Sequence, residues 1–184
     1  GSAGTIAAGD YLKTKFPGMK TVATEALQCP TLLRNGFGDH RIEGIGDKHV
    51  PWVHNVRNTD AVAAIDDEDC MRLLRLFNEP AGRELLVAAG APADAVGKLD
   101  LLGISCICNV IGAIKTAKFY NYGKGDLVVT EASRSQQHNP GPHHVSIRQR
   151  ILPRPRLECL TRHLIKDDTV RALSWHGPSA WRQP

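Results

Sequence analysis

The residues best suited to chemistry open the chain: Gly1, Ser2, Ala3, Gly4 and Thr5 run directly into Ile6-Ala7-Ala8-Gly9-Asp10-Tyr11-Leu12-Lys13. Small residues let backbone N–H groups crowd around an anion, and a helix that follows points its positive end at the same place. The hydroxyls of Ser2 and Thr5 can add hydrogen bonds. Together these are the parts of a phosphate cradle. Two further groups stand out. Gly44-Ile45-Gly46 is a turn whose glycines permit close backbone approach. Ser105 stands at the start of a helical pattern, where it reads as the N-cap of a helix over 106–119. His40, His49 and His54 share the glycine-rich region, but their spacings of nine and five fit no standard ligand pattern, so no metal site is expected.

These residues need elements to hold them. Residues 5–16 read as a helix closed by Phe16-Pro17-Gly18. Lys20 to Ala26 reads as a short strand, and residues 29–58 are rich in turns. Ala61-Val62-Ala63-Ala64-Ile65 is an apolar run suited to a strand buried on both faces. Asp66 then caps a helix with Asp67, Glu68 and Asp69 in its first turn and Met71, Leu74 and Phe77 along one side. Residues 81–102 read as helix in two pieces, broken at Gly90-Ala91-Pro92. Ile107, Val110, Ile111 and Ile114 fall at i, i+3, i+4 and i+7, the spacing of one buried stripe. Leu127 to Thr130 reads as a strand. Helices alternating with short apolar strands predict an α/β fold, a parallel sheet flanked by helices.

Charge divides the chain. Residues 132–184 hold nine Lys/Arg and three Asp/Glu, whereas residues 1–131 hold fourteen and sixteen. The tail also has five of the eight His and six of the eleven Pro, and no sustained period, so it reads as irregular and basic. Only Leu157 to Leu173 has the pattern of short amphipathic helices. The expected division is an α/β domain over 1–130 and a Pro/His/Arg-rich tail over 131–184, disordered or frameshift-derived. Five scattered cysteines (Cys29, Cys70, Cys106, Cys108 and Cys159) read as reduced, buried thiols in a cytoplasmic protein. No apolar run reaches the roughly 18 residues of a membrane helix.

Four of these segments, in order, resemble one family. Gly1-Ser2-Ala3-Gly4-Thr5 is similar to the cofactor-phosphate loop of fold-type II pyridoxal-phosphate enzymes, of the cysteine synthase and cystathionine β-synthase group. Arg41-Ile42-Glu43-Gly44-Ile45-Gly46, then Val50-Pro51, resembles the family's substrate-bordering loop. Ile65-Asp66-Asp67-Glu68 resembles the acidic start of its next helix. Gly103-Ile104-Ser105 resembles the segment whose serine sits at the pyridine nitrogen. The resemblance covers residues 1–130 and implies the C-terminal half of such an enzyme.

That resemblance implies pyridoxal 5'-phosphate as cofactor, with Gly1, Ser2, Ala3, Gly4, Thr5 and Ser105 binding it and Gly44, Ile45 and Gly46 facing an amino-acid substrate. The implied reaction is β-replacement on an activated serine by a sulfur nucleophile, in a family that is often homodimeric. Ala3 stands where the family has Gly. The family's Schiff-base lysine belongs to its N-terminal half, so the missing half is an expected partner and this chain is expected to be inactive alone. Lys13, Lys15, Lys20, Lys115 and Lys118 read as solvated charges. Two other readings remain open. One is a serine/threonine dehydratase-like relative. The other is a non-catalytic module whose basic tail contacts polyanions, although nucleic acid is not the expected partner.

Overall fold

The computed structural model describes residues 3–133, 144–150 and 170–172. Helix α1 (Ala3–Lys15) leads to strand β1 (Val22–Ala26) and the short helix α2 (Thr31–Arg34). A long turn-rich segment follows, ending in a 3-10 turn at Val56–Asn58. Strand β2 (Ala61–Ile65) then feeds α3 (Asp67–Asn78), α4 (Pro80–Ala88), α5 (Ala93–Val96) and α6 (Ile104–Phe119). Strands β3 (Leu127–Ser133), β4 (His144–Arg150) and β5 (Val170–Ala172) complete the described elements.

The expected α/β fold is present. β1 and β2 run parallel, paired from Val22↔Ala61 to Ala26↔Ile65, and helices pack against them. All five residues of β2 are fully buried, as an apolar run without alternation requires. β5 pairs antiparallel on the other side of β2, and β3 and β4 form a separate antiparallel pair. The region read as a tail therefore contributes two strands. Val170–Ala172 is strand where a helix was expected, and the rest of 157–173 lies outside the described residues, as does Cys159.

α6 packs against β1, β2, β3 and α3, so it is buried nearly all round. The single-stripe reading was too narrow: Ile107 and Ile111 are fully buried, but so are Cys106 and Cys108 on other faces. Gly112 permits the close approach, since a Cβ there would lie 2.7 Å from the Thr24 hydroxyl. On α3 the buried side centres on Cys70 and Leu73, with Leu74 and Phe77 beside them, and not on Met71. These positions keep the i, i+3, i+4, i+7 spacing, shifted by one residue.

Lys115 corrects the reading of that residue as solvated. It is 1% exposed, and its ammonium donates to the Ala64 carbonyl at 2.8 Å. The Ile65 carbonyl faces β1, where it accepts the Leu27 N–H. By alternation the Ala64 carbonyl points the other way. On that side the described pairing with β5 runs from Ala61 to Ala63, and just beyond it the Lys115 ammonium donates to the Ala64 carbonyl.

Candidate functional site

Asp66 caps α3 as expected, accepting the Glu68 N–H at 2.9 Å. The acidic turn it starts does more than complement the helix dipole. Asp67 accepts the backbone N–H of Arg41 at 2.6 Å, and the Arg41 guanidinium reaches Asp67 and Glu68. Gln28 bridges the same turn, donating to Asp66 at 3.0 Å and accepting the Asp67 N–H at 3.2 Å. From the other side, the Thr31 hydroxyl reaches the carbonyls of Gly36 and Asp47. Ile42, fully buried, pins the middle. The segment from Gln28 to Asp47 is thus an anchored loop with no regular period of its own.

Within it, Gly44 has φ +83° and Gly46 φ +99°, backbone conformations that L side chains avoid. A Cβ built on Gly44 would stand 3.8 Å from the Cβ of Ser105. Two motifs far apart in sequence therefore meet. Ser105 is not the helix cap that its position in the sequence predicted: α6 begins at Ile104 with Gly103 as its N-cap, which puts Ser105 inside the first turn. Beside the turn lies a cavity of about 590 Å³ lined by residues of the same loop, among them Cys29, His40, Gly46, Asp47, Lys48 and His49.

His40 and His49 thus share this cavity, while His54 turns away to the Thr59 hydroxyl at 3.0 Å. Burial pushes the His54 imidazole below its ordinary value, against the charge of Asp10. Among the described residues, no group of three or more His, Cys, Asp or Glu is placed to hold a metal ion. His40, Asp47 and Lys48 were legible only as loop residues flanking two glycines. Loops carry chemistry without a periodic signal.

Ala3, Gly4 and Thr5 form the exposed first turn of α1, which begins two residues earlier than expected. Gly1 and Ser2 lie outside the described residues. α1 buries only Gly9, so polar contacts attach it. Lys13 pairs with Asp60 at 2.6 Å and donates to the Asn58 carbonyl at 2.6 Å, and Asn58 donates to Asp10. Lys13 is therefore an ion-pair partner and not a solvated charge. Burial alone would raise the Asp60 carboxyl, but the Lys13 and Thr21 hydrogen bonds and the charges of Lys13 and Lys20 outweigh it and hold it below the usual range.

Glu25 is the opposite case. Burial raises its carboxyl, partly offset by the backbone N–H groups of Leu32 and Leu33, each at 2.9 Å. Between α3 and α6, a hydrogen bond with Cys70 and then burial push the Cys108 thiol strongly upward. The four described cysteines are buried and form no disulfide among the described residues, in keeping with their expected packing role.

No known protein-family profile matches the chain. Cysteine synthase B of Campylobacter jejuni is 30% identical over 100 residues, which are 54% of this chain and 33% of that protein. A cysteine synthase of Staphylococcus aureus is 28% identical over 131 residues, 71% of this chain and 36% of that one. The chain is similar to these cysteine synthases over the matched stretches. It spans about a third of the length of these cysteine synthases. Among solved structures, a hydrogen sulfide-producing enzyme of Fusobacterium nucleatum matches with TM-score 0.47 and 25% identity, over 62% of this chain and 33% of that one. A variant of another such enzyme, solved with an alpha-aminoacrylate intermediate, matches with TM-score 0.49 and 27% identity, over 65% and 31%.

Proposed function

We propose that this chain supplies the cofactor-phosphate and substrate-turn part of a cysteine-synthase-like enzyme using pyridoxal 5'-phosphate. The whole enzyme's reaction in this reading is β-replacement on an activated serine by a sulfur nucleophile. The observation that carries it is the nearness of the Gly44 turn to Ser105, where a Cβ built on Gly44 would stand 3.8 Å from the Ser105 Cβ, because the reading needs the substrate turn and the cofactor serine in one place.

Each part has the chemistry that the group needs. The first four N–H groups of a helix lack intrahelical partners, so the exposed first turn of α1 suits a phosphate, with Thr5 as a hydroxyl donor. Ser105 would meet the pyridine nitrogen. Being neutral, it would not hold that nitrogen protonated, which favours elimination and replacement at Cβ. When bound, the cofactor supplies the electron sink for that chemistry. Gly44 and Gly46 bring backbone, without side chains, to the substrate face. No lysine here is assigned the Schiff-base role: Lys13 is paired with Asp60 and Lys115 is buried against Ala64.

Titration of the chain with pyridoxal 5'-phosphate, followed by phosphorus NMR, tests the reading. Saturable binding is expected, with inorganic phosphate competing. Thr5→Val should weaken it about tenfold to a hundredfold, since a hydrogen bond to a charged group contributes about 1.5–3 kcal/mol. No binding at millimolar cofactor, or equal affinity in Thr5→Val, would overturn it.

A further inference from the structure

The Gly44–Gly46 turn rests on one side chain. A Cβ built on Gly46 would lie 2.7 Å from Nε2 of His40, 3.0 Å from its Cε1 and 3.1 Å from its Cδ2. The edge of the imidazole therefore lies directly against the glycine α-carbon. Gly46 is also the turn's most extended positive-φ residue, at +99°. On the other side of the ring, Nδ1 is buried and has no hydrogen-bond partner among the described residues. A buried polar atom without a partner costs free energy that an apolar ring of the same shape would not. The ring is held there by shape, and His40 and Gly46 together line the cavity beside the turn.

We propose that His40 is a positioning residue for the ligand-facing turn: its imidazole wedges Gly46 into the left-handed conformation and so sets where Gly44 meets Ser105. The proposal rests on the reading of this turn as the substrate face. In this role His40 acts through Gly46. Because the wedge works by shape, a phenyl ring should replace it and a methyl group should not.

Amide exchange followed by mass spectrometry on wild type, His40→Ala and His40→Phe decides this. Exchange over residues 44–49 should rise about tenfold in His40→Ala and stay near wild type in His40→Phe, with β2 unchanged in all three. Pyridoxal 5'-phosphate affinity should fall severalfold in His40→Ala and recover in His40→Phe. Unchanged exchange in His40→Ala, or His40→Phe behaving like His40→Ala, would overturn the wedge. Exchange rising equally in β2 would make His40 a general support of the fold and overturn it as well. If the wild type binds the cofactor and His40→Ala binds it equally, the positioning role falls. If the wild type binds no cofactor, the functional reading fails, and the exchange result still decides the wedge.

Discussion

Replacing Lys115 tests the packing around β2 more sharply than any other single change. Its ammonium is buried to 1% exposure and donates to the Ala64 carbonyl at 2.8 Å. Lys115→Ala removes the donor and most of the side chain. An orphaned buried carbonyl costs about 1–3 kcal/mol. Emptying a buried long side chain adds about 2–5 kcal/mol, as large-to-small core substitutions do. Part of this returns because a buried ammonium no longer has to be desolvated. The net expectation is a loss of about 3 kcal/mol, a large share of the 5–15 kcal/mol typical of a domain. Lys115→Met keeps the volume and loses only the donor, so it should cost at least about 1 kcal/mol less than Lys115→Ala. Urea unfolding followed by circular dichroism measures both. A Lys115→Ala midpoint equal to wild type would mean that the side chain reaches solvent, and the account of the Ala64 carbonyl would be wrong.

Two pH effects of opposite sign should also appear in the same unfolding assay. Asp60 is depressed in the folded state, so its stabilisation is present above about pH 4 and is lost as pH falls through its lower folded value. Asp60→Asn should flatten that acid limb. Glu25 is raised, so its contribution is full below about pH 4.3 and is lost as pH rises through its folded value. Glu25→Gln should remove that loss. An unchanged acid limb in Asp60→Asn would show that the Lys13 pair does not couple to folding.

Much of this protein was legible as text because the signals are local. The apolar run of Ala61 to Ile65 can only be a strand buried on both faces, and it is. Asp66 followed by three acidic residues marks a helix start wherever it occurs. Gly90 and Pro92 break the helical text between α4 and α5 as they must. The resemblance of four ordered segments likewise pointed to the cysteine synthases before any fold was drawn.

What the residues alone could not decide was which groups face one another. Lys115 reads as a surface charge because a lysine is rarely buried, although at i+8 from Ile107 it falls at the margin of the apolar stripe. It is buried because strands and α3 enclose α6 on several faces at once and the Ala64 carbonyl accepts its ammonium. Ser105 reads as a cap, yet one residue of helix start moves it inside the turn, against Gly44. His40 reads as one of three scattered histidines, and only the folded loop brings its ring against Gly46. Secondary structure follows from neighbours along the chain. A site follows from neighbours across it, and those contacts exist only after long-range packing has chosen among the faces that each element offers.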